Sequence, residues 1–414
     1  MQNCSSRHDR AIRSSGKILV SLALVAFTLM AFAGLAIDMG RMEFFRRRLQ
    51  TAADSGAIGG ARELQVNGPT DVVTAARDDV TTNGYTSSVN GATVNVNFPP
   101  TSGPYTGNNR YVEVVVSKPY PTTFFRAINI NTMNLKARAV GGLSPSNYCI
   151  IALNPTASGA IDVWGNATVQ SPGCEVISDS SAADALKIGN SACLTAKAID
   201  VVGGYQSGGC VPSPTPETGS SFIYDPLYYL AVPSYSTCDY TKFSTNKTET
   251  LNPGTYCGGI KITGNGTTTF NPGVYVLLGG GMEASGNGTV QGTGITFYNT
   301  GDTTYPYDDF KLGGTTTYHL GAPTSGPYEA ILYFQDRKIA GSSQGSVFTG
   351  TNSSTFDGLI YARAGRIEFN GTSSVNGYTS IIADTIAFTG NSVLKNSYQS
   401  LSSGGPIKNG ALIE

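Results

Sequence analysis

Hydrophobic positions first gather in one unbroken run. Residues 18–37 are twenty uncharged, mostly apolar residues. At about 1.5 Å per residue, a helix of that length crosses the ~30 Å hydrocarbon core of a bilayer. No helix breaker follows. The pattern continues with Glu43 three and four residues before Arg46 and Arg47, a spacing that pairs charges on a helix surface. Ala52, Gly56 and Gly60 then recur at four-residue intervals, with Ala53, Ala57 and Ala61 beside them. Such a stripe admits a close neighbour, either a partner's helix or sheet or the chain's own next domain. Gly68-Pro69 ends the segment.

The period then changes twice. Over residues 69–142 a short helix from Thr70 to Val80 precedes alternating strands at 93–98, 111–117 and 134–140, with a short amphipathic helix at 122–128. This predicts a small α+β module. From Cys149 onward short apolar strands alternate with a Gly-Asn tag, at Gly165-Asn166, Gly189-Asn190, Gly264-Asn265, Gly286-Asn287 and Gly390-Asn391, with Asn370-Gly371 as a variant. Within clusters the glycines are 24, 22 and 19 residues apart. Periods near twenty residues suggest a solenoid whose coils bury apolar faces on one another. Pro253-Gly254-Thr255-Tyr256 recurs as Pro272-Gly273-Val274-Tyr275. The expected body, residues 143–400, is therefore all-β and a parallel β-helix, with a β-sandwich as the alternative. Residues 212–235, rich in Pro, Ser and Tyr, interrupt it as an extended excursion along the coils, and residues 299–328 form a second loop. Residues 401–414 are polar and glycine-rich and are expected to be a flexible tail.

Charge and cysteines refine the picture. Charged residues make up 13% of the chain and the net charge is -1, so there is no electrostatic case for nucleic-acid binding. Cys4 precedes the apolar run. Cys149, Cys174, Cys193, Cys210, Cys238 and Cys257 follow it, an even number that implies up to three disulfides in an oxidising compartment. The sequence neighbours Cys174/Cys193 and Cys238/Cys257 are the preferred pairs. Arg7, Arg10, Arg13 and Lys17 before the run, with Ala31-Phe32-Ala33 inside it, also suit a cleaved signal peptide. The length of the run favours a retained span over residues 18–37, with a cytosolic tail at 1–17. Arg41, Arg46, Arg47 and Arg48 lie just past the span and nearly cancel the basic bias of the tail. The shortness of that tail and the downstream cysteines place the N-terminus inside and the body outside.

Gly34, Asp38, Gly40-Arg41, Arg48-Leu49-Gln50 and Ala52-Ala53-Asp54, with the later Lys136-Ala137-Arg138-Ala139-Val140, resemble the N-terminal domain of the TadG-like (TadE/G-like) Flp pilus-assembly proteins. The resemblance covers about the first third of the chain. It implies a single-pass bacterial inner-membrane protein of the Tad secretion system, with a pilin-like module over residues 38–142 and a periplasmic or surface-directed body. It also implies Tad pilus-assembly components as partners. Gly34, Asp38, Arg41, Gln50, Ala53 and Asp54 are the expected assembly interface. Gly16 is followed five residues later by Ser21 where prepilin processing requires glutamate, which argues against pilin-like polymerisation.

Catalytic chemistry is sparse. His8 and His319 are the two histidines, too few for a histidine zinc site and without a matching nucleophile. A β-helix enzyme acting on polysaccharide would draw on Asp336, Arg337, Asp357, Glu368, Asp384, Arg363 or Arg366, and these are scattered. The expectation is a non-enzymatic chain with no catalytic residues, cofactor or metal. A surface adhesin or matrix-binding protein is the alternative, taking a surface or polysaccharide ligand on Tyr224, Tyr228, Tyr229, Tyr305 and Tyr307.

Overall fold

The computed structural model describes residues 8–313, 315–339, 345–351, 353–371, 374–377, 379–396 and 407–414. The chain divides into two units, Met1–Ser144 with Gly410–Glu414, and Pro145–Asn409.

The first unit is built on one helix, α1 (His8–Val66). Along residues 18–37 its apolar side chains are open, with Ile18 68%, Phe27 74% and Phe32 65% exposed. From Asp38 onward the helix buries one face: Asp38, Met42, Leu49, Ala52, Ala53, Ala57, Ala61 and Leu64, a three-to-four-residue recurrence. Against that face packs α2 (Val72–Thr82) through Val72, Ala76 and Val80. The stripe of small residues serves this contact. A Cβ on Gly56 would lie 2.5 Å from Val80 Cγ2 and 2.8 Å from the Ala76 carbonyl.

Strands β1 (Thr93–Asn97), β2 (Tyr111–Pro121) and β3 (Thr132–Pro145) form an antiparallel sheet in that order. Val94, Val112, Val114, Val116 and Ala139 on its inner face complete the core with the helices. The expected flexible tail needs correction at its end. Residues 401–406 lie outside the described residues, but Lys408–Leu412 is a fourth strand on the β3 edge. The edge of β3 offers backbone groups that need partners. Val140 donates its N–H to Glu414 at 2.8 Å, Ile413 returns one to Val140, and Gly410 N–H meets Gln65 Oε1 at 2.8 Å.

The second unit is all-β, and its strand pairings among the described residues are parallel. One ladder runs, in spatial order, through Tyr240–Thr245, Gly254–Ile262, Gly273–Leu278, Ile295–Thr300, Ile331–Gln335, Thr355–Gly371, Thr379–Phe388, Tyr148–Ala152, Thr168–Ser178, Cys193–Val201 and Glu217–Thr218. Spatial order is not chain order. The first body strand pairs with one near the chain's end, Ile150 beside Ile381. The chain thus enters mid-ladder and builds to one end at Glu217–Thr218. It then crosses to the other end and builds back to meet its own start.

Inside, in-register aromatic rings stack from strand to strand, as in Phe348, Phe369 and Phe388, with centroids 5.4 and 5.7 Å apart. At the corners the Gly-Asn tags stack as well. Asn166 N–H donates to the Gly390 carbonyl at 2.8 Å and Asn166 Nδ2 to Asn391 Oδ1 at 3.1 Å. Gly286 has φ +115, and a Cβ there would stand 2.2 Å from the Gly264 carbonyl oxygen, so the stack requires glycine.

Three disulfides join Cys149 to Cys174, Cys193 to Cys210 and Cys238 to Cys257. The expected Cys174/Cys193 pair is overturned, because in the parallel register Cys193 lies beside Thr168 and not beside Cys174. Cys4 lies outside the described residues. Two of the bridges flank residues 212–235, Cys210 at one end and Cys238 at the other, so both ends of the crossing segment are tied to strands.

Candidate functional site

On the first unit, polar chemistry concentrates where the apolar run of α1 ends. Asp38 is fully buried. Its carboxylate accepts the successive backbone N–H groups of Thr123 (3.0 Å), Phe124 (2.7 Å) and Phe125 (2.8 Å). These lead into a 3-10 turn, Phe125–Ile128. An anion at such a turn satisfies donors that have no partner of their own. One turn up the helix, Arg41 Nη1 donates to Thr123 Oγ1. One turn down, Phe124 lies on Gly34, where a Cβ would stand 2.6 Å from the ring. Gly34, Asp38 and Arg41 therefore form one face that holds one loop. Residues 16–63 match the Tad family model, Flp pilus-assembly TadE/G-like.

Over those residues the chain is similar to a TadE/G-like segment. No curated protein matches the chain. Other residues of the TadE/G-like segment are also engaged within the unit. Gln50 Nε2 donates to Asp54 Oδ1 at 2.7 Å and to the Arg138 carbonyl at 3.1 Å, and Ala53 is fully buried. All six residues expected at an assembly interface are thus engaged within their own unit. The TadE/G-like helix presents outward Met39 (60% exposed), Phe44 (57%) and the arginines Arg41, Arg46, Arg47 and Arg48, and Gly40 has open space around it. The buried recurrence from Asp38 through Met42 and Leu49 to Ala52 was the sequence signal that separates these faces.

A second polar knot pins the module's sheet. Glu113 is buried and receives Asn97 Nδ2 (2.8 Å), Thr101 N–H (3.1 Å), Arg138 Nε (2.6 Å) and the Ser102 hydroxyl. Burial alone raises a carboxyl, but these donors, Ser102 and Asn97 foremost, hold Glu113 at about 2. Arg138 also pairs with Glu414.

On the second unit, the crossing segment lies along one column of outward apolar residues. Leu227 and Leu230 pack with Ile151, Val276, Tyr298, Phe334 and Ile382. Arg337 is the clasp. Its Nη2 donates to the carbonyls of Leu227 (2.6 Å) and Leu230 (2.9 Å), its Nε to the Tyr361 hydroxyl (2.8 Å), and it lies 5.0 Å over the Phe334 ring. Tyr361 donates in turn to Asp225 at 2.6 Å, and Arg363 pairs with Asp225 at 3.2 Å. Burial pushes the Asp225 carboxyl up, against the pull of these donors.

Beside the clasp is a groove of about 570 Å³ lined by Asp179, Phe222, Tyr224, Asp225, Arg363 and Asp384. Burial raises Asp179 to about 6, with the Ile223 N–H opposing. Of the residues weighed for polysaccharide chemistry, Arg363 and Asp384 meet in this groove, and Asp384 accepts from Asn154 Nδ2 at 3.0 Å. Asp336 instead accepts from Thr300 Oγ1 (2.8 Å) and Lys338 N–H (3.0 Å), and Glu368 from Thr389 Oγ1 (3.2 Å). Arg366 stands 3.4 Å from Glu368. Asp357 is exposed on the strand Thr355–Gly371. Of the tyrosines weighed for recognition, Tyr224 (61%) and Tyr228 (45%) are exposed, while Tyr229, Tyr305 and Tyr307 are half-buried. Tyr307 donates to Asp309 at 3.1 Å.

Proposed function

We propose that this chain is a non-enzymatic, single-pass component of Flp/Tad pilus assembly. It is held in a bacterial inner membrane by α1 and carries a parallel β-helix body on the periplasmic side. The observation that carries the reading is the TadE/G-like face of Gly34, Asp38 and Arg41, which fastens a small α+β module at the end of a long apolar helix. Three features support the β-helix: register offsets of 21 and 22 residues between successive strands, as Gly254 beside Tyr275 and Gly273 beside Ile295, stacked Gly-Asn corners and in-register aromatic rings. An antiparallel β-sandwich fits parallel ladders poorly. Three disulfides suit an oxidising compartment. The test is complementation of a deletion strain with the wild-type chain or with Asp38→Ala, scored by sheared pili. Wild type should restore pili and Asp38→Ala should not. Full piliation without the chain contradicts the reading.

A second reading, a surface adhesin, is favoured by one observation. The crossing segment displays Phe222 (59% exposed) and Tyr224 (61%) on the acidic groove. Under it, Phe222→Ala with Tyr224→Ala spares pili and loses attachment.

A further inference from the structure

The loop that Asp38 holds has an unusual surface. Phe124 (44% exposed), Ile128 (63%) and Ile130 (41%) stand open around the 3-10 turn. No Asp or Glu occurs between Glu113 and Asp162, and the charge within the turn is Arg126. Its height along α1 is fixed by contact, because Phe124 lies on Gly34. Gly34 sits three residues inside the apolar run that ends at Ile37, so Phe124 lies about 4–5 Å below the end of that run at ~1.5 Å per residue. The open apolar side chains of the loop are thus level with the last turn of the open apolar helix.

The backbone there is also prepared for an apolar medium, where an unpaired amide is costly. Thr123, Phe124 and Phe125 give their N–H groups to Asp38. Ala127 donates to Phe124 (3.0 Å), Asn129 to Arg126 (3.0 Å) and Ile130 to Phe125 (3.1 Å). Asn129 closes the turn in the left-handed region at φ 67. Arg126 in the turn and Arg41 higher on α1 are both exposed, and long basic side chains at an inserted turn reach up to phosphate headgroups.

We infer that the turn Phe125–Ile128, with Phe124 and Ile130, is a second membrane contact that dips into the leaflet beside α1 and fixes the module against the bilayer surface. The occupant is the lipid bilayer itself, because the loop's apolar surface continues that of the helix. The inference rests on the proposed membrane anchoring by α1. An interfacial element of this kind buries its apolar face about 5–10 Å into the headgroup boundary.

The test uses the full chain in phosphatidylethanolamine/phosphatidylglycerol vesicles with brominated acyl chains. Trp164→Phe removes the single native tryptophan, and one reporter is added at a time: Ile128→Trp, Leu24→Trp in the apolar run, or Arg62→Trp on exposed α1 far beyond it. Ile128→Trp replaces one exposed apolar residue by another, and circular dichroism matching the wild type checks its fold. The expected result is bromine quenching at positions 24 and 128 and none at 62. Quenching at 24 without quenching at 128 overturns the second contact and leaves the anchor standing. Absence of quenching at 24 overturns the anchor itself and the inference with it.

Discussion

Tyr361 donates its hydroxyl to Asp225 at 2.6 Å across 136 residues of sequence. Tyr361 belongs to a ladder strand and Asp225 to the segment that crosses the ladder from end to end. Arg337 completes the clasp by holding both Tyr361 and the carbonyls of Leu227 and Leu230. A chain that enters its ladder in the middle needs such a crossing, and the crossing needs to be fastened.

Arg337→Ala removes every one of those donors. Hydrogen bonds from charged groups contribute about 1.5–3 kcal/mol each, so losing three from the half-buried Arg337 should cost the segment roughly 4–5 kcal/mol, the low end of that range. Limited proteolysis should then cut within residues 212–235 while the ladder stays intact. Unchanged cutting would remove Arg337 from this role.

Bond connectivity is directly checkable. Non-reducing peptide mapping should recover Cys149–Cys174, Cys193–Cys210 and Cys238–Cys257. Opening the Cys238–Cys257 bridge, which closes a 19-residue loop, by paired alanines should cost about 3 kcal/mol. A Cys174–Cys193 peptide would contradict the parallel register.

The loop under α1 gives a paired test. Gly34→Leu places a Cβ 2.6 Å from the Phe124 ring, whereas Gly40→Leu meets nothing within 4 Å. Hydrogen exchange at the Thr123, Phe124 and Phe125 amides should accelerate in Gly34→Leu and in Asp38→Ala, and stay at the wild-type rate in Gly40→Leu.

Opposite pH responses are expected in the two units. Glu113 is depressed to about 2, so its contribution is present above its ordinary value near 4.5 and is lost as pH falls from there toward 2. Asp179 is raised to about 6, so the folded state holds its proton more tightly than the unfolded chain does. Its segment therefore gains stability as pH falls from about 6 toward 4. Asp179→Asn should flatten that second response in proteolysis of residues 212–235, and Glu113→Gln should flatten the first in exchange of the β2 amides.

Local and periodic features were readable from sequence. The apolar run at 18–37 and the Gly-Asn tags announce a helix and a repeat through residue types alone, and the excursion at 212–235 stood out by its prolines. Features that depend on distant partners were not readable. The partners of Asp38 have no local signature, because Thr123 to Phe125 lie about 85 residues away. The ladder's mid-point start, with Ile150 beside Ile381, has no local signature. Cys174 and Cys193 are neighbours in sequence, but the register that separates them arises only when strands stack. Glu414 reads as a polar end residue until the open edge of β3 claims it.

Fractionation of cells carrying a C-terminally tagged chain, with sheared filaments collected separately, decides whether α1 is a permanent anchor. Full-length protein is expected in the inner membrane, cut by added protease only once the outer membrane has been opened. Tagged protein shortened at its N-terminus and recovered in the filament or surface fraction would contradict a permanent anchor through α1.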